Sequence, residues 1–257
     1  MRRNSYQRNQ RRVQRVDAPA LRVRLARGLR RLMLVAILAC LMVGGWFFYQ
    51  SPLLQVRDVS VVGAQTLDAN TLAAASGLKG QNIIGADTGS AEERLLALAM
   101  VKSVSISRRW PGKMVVHVEE RQPWGYWRIG DQPYVIDDEG VVLDGTRPDE
   151  GAPTIVESDS VRRLAPGDRL DADTVSLARQ LIDASPRALK RDVTGLEFSE
   201  HSGLTVVFSG GLRATFGDSR DLDYKLSVLY VLLEKAQAQS FAVHSVDLRF
   251  GENVSFQ

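Results

Sequence analysis

The sequence has few of the residues that enzymes and disulfide-bonded proteins depend on. One of its 257 residues is a cysteine, Cys40, so no intramolecular disulfide can form and ordinary cores must supply its stability. Its three histidines, His117, His201 and His244, fall in different predicted elements without a second histidine or cysteine at metal-site spacing. The sequence also lacks nucleophile-elbow, phosphate-loop and dinucleotide-binding motifs. We therefore predict a binding protein, not an enzyme, with no metal, cofactor or small-molecule substrate.

Lysine is absent from residues 1–31, although this segment carries eleven arginines and a single acid, Asp17. Eleven minus one gives the segment a net charge of +10, and subtracting this from the total of +3 leaves −7 for the remainder. An arm that binds nucleic acid would need interleaved aromatic residues or a folded motif, and only Tyr6 interrupts the run. We interpret residues 1–31 as a solvated, disordered cytoplasmic tail and predict no nucleic-acid partner.

Charged residues are also absent between Leu32 and Gln50. This apolar run is just long enough to span a bilayer when the residues after it lie in the interface. Aromatic residues crowd its end at Trp46–Tyr49, and Arg30 and Arg31 precede it. Because arginines are retained on the inner side, the pattern predicts one transmembrane helix at residues 32–51, with the N-terminus in the cytoplasm and the rest outside the cytoplasmic membrane.

Two cleaved alternatives fit this segment less well. A signal peptide has a shorter basic region and a small-residue cleavage site, whereas this apolar run ends in bulky aromatics. Ile37–Cys40 loosely resembles a lipoprotein signal, but Cys40 is followed by the apolar residues Leu41–Val43 where a lipoprotein would turn polar. A retained membrane helix is therefore the better interpretation.

Residues 52–122 predict a small domain with the order β-α-α-β-β. Its elements are a strand at Gln55–Val62, a helix at Asp68–Ser76, a helix from a capping box at Ser90 and Glu93 to about Met100, and a hairpin that turns at Trp110–Lys113.

In that hairpin, apolar and polar residues alternate. We expect Val104 and Ile106 to pack on the second helix through Leu95 and Leu98, and His117 to lie on the surface.

Residues 123–257 predict a strand-rich domain. The expected strands are Trp124–Ile129, Tyr134–Ile136, Val141–Leu143, Val193–Phe198, Leu204–Phe208, Leu212–Phe216, Val243–Leu248 and Val254–Phe256. Helices are expected at Asp173–Ala184 and on the apolar stripe that runs from Leu222 to Ala236. Asp137–Gly140 is a turn rather than a calcium loop, because no further ligands follow at loop spacing. The fold class is α+β.

Several motifs resemble those of the FtsQ/DivIB family of bacterial division proteins. Residues 101–112 read Val-Lys-Ser-Val-Ser-Ile-Ser-Arg-Arg-Trp-Pro-Gly, and residues 116–127 read Val-x-Val-Glu-Glu-Arg-Gln-Pro-Trp-x-x-Trp, similar to that family's hairpin and the segment after it. Further matches are Val59-x-Val61-x-Gly63, Val135-Ile136-Asp137-x-x-Gly140 and Ser245–Phe250.

The resemblance implies a POTRA (polypeptide-transport-associated) domain beside the membrane and then a β-domain. It also implies a scaffold of the division septum that binds FtsB/DivIC-like and FtsL-like proteins and links early to late division proteins. The family binds its partner mainly through its final strand and tail, which makes Arg249, Phe250, Val254 and Phe256 the candidate partner-binding residues. The alternative for Phe250 and Phe256 is that they close the core.

Two other classes of function compete with the scaffold. A POTRA module of envelope protein assembly or secretion would carry several tandem repeats, and this sequence has one. An enzyme anchored in the envelope would need a catalytic site, and the sequence offers none.

Overall fold

The computed structural model describes residues 18–249 and 255–256, and the side chains of residues 30–249. The chain divides into two compact units, residues 1–55 and 56–257, which are treated separately below.

The first unit contains one long helix, α1, at Ala18–Tyr49. Its segment Arg30–Tyr49 is long and apolar enough to cross a membrane, with a mean hydropathy of 2.3 and no buried share. The helix begins earlier than predicted, so residues 18–31 do not belong to a disordered tail; residues 1–17 of that predicted tail lie outside the described residues. The extension is rich in Ala, Leu and Arg, which favour helix, and Pro19 stands in its first turn.

The second unit begins with the predicted β-α-α-β-β order. The elements are β1 at Asp58–Val62, α2 at Ala69–Ser76, α3 at Thr88–Leu96, β2 at Val101–Arg109 and β3 at Lys113–Glu120. The three strands form one sheet in the order β1-β3-β2, with β1 parallel and β2 antiparallel to β3. The hairpin is confirmed, and His117 is exposed as expected.

Two details of this domain differ from the prediction. The cap of α3 is Asp87, whose carboxylate accepts the Ser90 N–H at 3.0 Å, so the capping box at Ser90 and Glu93 is wrong. Since α3 then ends at Leu96, Leu98 lies beyond the helix and is 36% exposed.

The buried face of the hairpin lies mainly on β3. Met114 and Val116 of β3 are fully buried, whereas Val104 and Ile106 of β2 are only half-buried. The physical reason is position, because β3 is central in the sheet and β2 is at its edge.

A buried carboxylate holds the loop between β1 and α2. Glu120, at the end of β3, accepts the backbone N–H groups of Gln65, Thr66 and Leu67, each at 2.9 Å. Burial opposes ionisation of this side chain, but the three N–H donors outweigh it and hold the pKa of Glu120 below its usual value of 4.5.

Glu120→Gln should therefore lower the free energy of unfolding by about 1–3 kcal/mol at neutral pH, because the amide group cannot accept all three bonds. The folded pKa is depressed, so this stabilisation is present above about pH 4.5 and is lost as pH falls through the lower folded value. Wild type and variant should converge in acid. Guanidinium unfolding of the full chain at several pH values measures the difference. Glu119→Gln, a change at the exposed neighbouring acid, is the control, and equal losses in both variants would contradict the assignment.

The rest of the second unit is a mixed nine-stranded sheet with two helices. Its elements are β4 at Pro123–Ile129, β5 at Gln132–Asp137, β6 at Val142–Leu143, β7 at Thr154–Glu157, α4 at Ala172–Ala188, β8 at Val193–Ser199, β9 at Gly203–Phe208, β10 at Arg213–Gly217, α5 at Leu222–Ala238, β11 at Ser245–Asp247 and β12 at Ser255–Phe256. The strand order is β12-β11-β10-β9-β8-β7-β4-β5-β6, in which β7 pairs parallel with both β4 and β8, and β11 pairs parallel with β10.

Both helices contribute to one core with the sheet. Leu177 and Leu181 of α4 and Leu229 of α5 are fully buried in the same cluster as Trp127 and Phe208. Helix α4 runs four residues beyond the predicted Ala184 and contains Pro186. Strand β7 was not predicted.

The predicted turn at Asp137–Gly140 is confirmed. The buried side chain of Arg121 is hydrogen-bonded to its first residue, Asp137. The Asp137 Oδ2 accepts a hydrogen bond from Arg121 Nη1 at 2.5 Å, and its Oδ1 accepts the N–H groups of Glu139 and Val141 at 2.9 and 2.8 Å. Both members of the ion pair are buried, with side chains 6% and 1% exposed. This pair joins the end of the β-α-α-β-β region to the large sheet.

Candidate partner-binding edge

One edge of the nine-stranded sheet is built from β11 and β12. Strand β11 pairs with β10, placing Val246 opposite Ala214, and β12 pairs antiparallel with β11, placing Phe256 opposite Val246. Among the described residues, β12 has no strand on its other side. An edge strand presents backbone N–H and C=O groups that can pair with a strand from another chain.

The opposite edge of the sheet is already used. Val142 of β6 donates its N–H to the Asp168 carbonyl at 2.9 Å and accepts the Gly167 N–H at 2.8 Å. Val141 forms a further bridge with Arg169. A segment of the chain therefore covers β6 where a partner strand would add.

Strand β11, on which β12 pairs, is held in place by the burial of its apolar side chains and by backbone hydrogen bonds. Val246 and Leu248 are each 1% exposed. The Leu248 N–H donates to the Thr215 carbonyl, and the Arg213 N–H to that of His244, both at 2.9 Å. Because its apolar side is packed and its backbone is bonded to β10, β11 is a rigid support for β12.

A buried lysine fastens α5 to the end of β10. Lys225 Nζ donates to the carbonyls of Phe216 and Asp218, each at 2.8 Å, and to Asp218 Oδ1 at 3.2 Å. A side-chain hydrogen bond from Arg220 contributes most to lowering the pKa of Asp218 to about 2, burial opposes the shift, and Lys225 adds to it. Lys225 thus supplies hydrogen-bond donors to the Phe216 and Asp218 carbonyls, at the point where the chain leaves β10.

Arg249 follows β11 and folds back onto it. Its Nε lies 3.0 and 3.1 Å from the two carboxylate oxygens of Asp247, and its Nη2 lies 2.6 Å from Oδ2. These bonds lower the pKa of Asp247 and raise that of Arg249. Gly217 makes room for the arginine: its φ is +77°, and a Cβ there would stand 2.9 Å from Arg249 Cγ.

Arg249 also lines a cleft of about 430 Å³ with Phe216, His201 and Asp218. The guanidinium held by Asp247 therefore belongs to a residue that lines this cleft, and the Arg249 side chain is 32% exposed. A fixed Asp247–Arg249 ion pair beside an edge strand offers polar contacts to residues that flank a partner's strand.

The four candidate residues have different standing in the structure. Arg249 lies at the edge as described, and Phe256 belongs to β12. Phe250 and Val254 lie outside the described residues. Sequence reasoning missed Lys225 and Gly217; the signal for Lys225 was a charged residue on the apolar stripe of α5, between Leu222 and Leu229.

The described residues contain no group of three or more His, Cys, Asp or Glu side chains that could hold a metal ion.

Comparisons with known proteins agree with this architecture. A family model described as POTRA domain, FtsQ-type, matches residues 54–121, and one described as cell division protein FtsQ/DivIB, C-terminal, matches residues 125–249. An apolar helix, a POTRA domain and a mixed β-domain place the chain among POTRA proteins with an N-terminal apolar helix.

Curated relatives identify the family within that class. The chain is 31% identical over 221 residues to the cell division protein FtsQ of Chloroflexus aurantiacus, covering 84% of this chain and 80% of the relative. It is 29% identical over 223 residues to the FtsQ of Mycobacteroides abscessus, covering 86% and 69%. The chain belongs to the FtsQ/DivIB family of bacterial cell division proteins.

Proposed function

We propose that this chain is a non-enzymatic scaffold of the divisome that binds an FtsB/DivIC-like protein, and with it an FtsL-like protein, by strand addition at β12. The observation that carries this proposal is the asymmetry of the large sheet. Its β6 edge is covered by the chain's own residues 167–169, whereas its β12 edge is open in the described structure and stands beside the fixed Arg249. Backbone pairing supplies affinity, and alternate side chains with Arg249 supply specificity.

The proposed location follows from the charge of the first segment. A net charge of +10 on residues 1–31 keeps the N-terminus in the cytoplasm, so residues 32–51 cross the inner membrane. The POTRA domain, residues 52–122, and the β-domain, residues 123–257, then lie outside it at the septum. In this arrangement the scaffold links early division proteins to late ones at the septum.

A fluorescent fusion of the full chain should form a band at midcell in dividing cells, and protease added to spheroplasts should remove the mass beyond the membrane helix. The reason is that the positive head resists export while the β-domain engages septal partners. Uniform envelope fluorescence would contradict the divisome role. Protection of the C-terminal mass from protease would contradict the topology.

A further inference from the structure

The turn of the β2–β3 hairpin lies beside the point where the chain enters the POTRA domain. The N–H groups of Arg57 and Asp58 both donate to the Gly112 carbonyl, at 2.8 and 3.3 Å. Asp58 is also paired in register with Lys113, the first residue of β3. The hairpin tip, defined as Arg109–Lys113, is therefore bonded directly to the entering chain.

Few residues separate α1 from the residues that are bonded to this tip. Seven residues, 50–56, separate the end of α1 at Tyr49 from Arg57. Seven fully extended residues reach about 25 Å, which is less than the thickness of a bilayer core. The covalent connection alone thus brings the tip within reach of the headgroup layer.

The tip combines an exposed aromatic ring with positive charge. Trp110 is 60% exposed. Arg109 and Lys113 flank it and are exposed, and Lys79 stands next to Gly80, whose N–H donates to the Val56 carbonyl at 2.9 Å.

The acids near the tip are committed to partners within the domain. Asp58 pairs with Lys113 at 3.2 Å, so these two charges offset each other and Arg109 and Lys79 supply the excess positive charge, and Asp87 caps α3. Arg108 is partly committed as well, since its Nη2 donates to the Ala86 carbonyl at 3.0 Å. This basic end belongs to residues 32–257, whose net charge is −7, so the positive charge is local.

We propose that the hairpin tip docks on anionic phospholipid headgroups of the membrane that α1 spans. Tryptophan favours the headgroup layer because its ring is apolar and its N–H can bond to lipid oxygens. Arginine and lysine beside it bind lipid phosphates and are attracted by a negative membrane surface. Docking adds a second attachment to the single helix and limits the orientations that the POTRA domain can take. The proposal depends on the proposed membrane span of α1.

The test uses the full chain in nanodiscs that contain a lipid spin-labelled near the headgroup. Two variants are compared, Trp46→Phe and the double variant Trp46→Phe with Trp110→Tyr. The fluorescence of the double variant, subtracted from that of the single variant, gives the fluorescence of Trp110. The spin label should quench Trp110 in nanodiscs of phosphatidylcholine mixed with phosphatidylglycerol. The quenched fraction gives the ratio of docked to undocked hairpin tips. Arg109→Gln should lower this ratio about fivefold, because one cation near an anionic membrane surface contributes a binding free energy that corresponds to that factor.

Arg128→Gln is the matched control, because Arg128 is likewise an exposed arginine on a strand, β4, but outside the POTRA domain. It should leave the quenching unchanged. An unquenched Trp110 in all nanodiscs would overturn the proposal and leave the tip to a protein partner. Equal quenching in pure phosphatidylcholine, unaffected by Arg109→Gln, would overturn the assignment to anionic headgroups. If α1 did not span the membrane, the chain would not enter nanodiscs. That outcome is therefore distinguishable from the results above.

Discussion

Asp137→Asn should lower the free energy of unfolding by about 3 kcal/mol. The substitution removes the charge that faces Arg121 at 2.5 Å, and among the described residues Glu139, at 2.8 Å, is then the remaining acidic partner of the buried guanidinium. Removal of one member of a buried ion pair is costly because the remaining charge loses part of its compensation without regaining water. Guanidinium unfolding of the full chain in detergent micelles measures the loss, followed by the change in tryptophan fluorescence as buried Trp127 becomes exposed.

Asp138→Asn is the control for this experiment. Asp138 is the next residue and carries the same group, but its side chain is 42% exposed and pairs with Lys102 at 3.7 Å and Arg179 at 3.1 Å. Exposed pairs contribute about 0–1 kcal/mol, so this variant should remain close to wild type. If the two variants lost equal stability, the buried Arg121–Asp137 pair would not be a stabilising contact between the POTRA region and the large sheet.

Phe256→Glu should weaken capture of the proposed FtsB-like partner about thirtyfold while the melting temperature changes little. An aromatic anchor at an interface contributes about 2 kcal/mol or more, which corresponds to that factor. Phe256 lies in β12, the strand to which the partner would add, and pairs with Val246 of β11. Binding is measured by titrating the purified partner onto the full chain, and the melting temperature is recorded on the same samples.

Val231→Glu is the matched control, since Val231 is an apolar residue of the same domain that is 50% exposed on α5. It should bind the partner as wild type does. Unchanged binding by Phe256→Glu would refute strand addition at β12. A large fall in melting temperature would instead show that Phe256 closes the core, which was the competing interpretation of the sequence.

The sequence predicted the elements whose signals are local. The membrane helix, the order β-α-α-β-β and the hairpin follow from apolar runs, alternation and turn residues. Strand β7, Thr154–Glu157, could not be predicted in this way, because it is four residues long and follows a Pro/Gly-rich loop. Its pairing with β4 and β8 makes it a strand, and neighbours in space are invisible to a local pattern.

The sequence indicated where the candidate edge lies, but not the contacts that hold it in position. The alternation through Val246 and Leu248 indicated a strand, and the structure forms β11 there, although its bounds are only Ser245–Asp247. The bonds from Lys225 to the end of β10 and the space that Gly217 leaves for Arg249 join residues distant in sequence. Such contacts depend on the tertiary fold, so residue types and spacing alone did not reveal them.

The spatial order of the sheet also has a consequence for biosynthesis. From β7 to β12 the strands lie side by side in the order in which the ribosome makes them, so the edge strand β12 is made after the strands it follows in the sheet. Because chains emerge at about 5–20 residues per second, the earlier strands can pair before the edge exists. A product truncated after β10 would retain the POTRA domain but offer no β12 to a partner. Strand addition at this edge would therefore admit to the septum only molecules whose translation and export have passed β12.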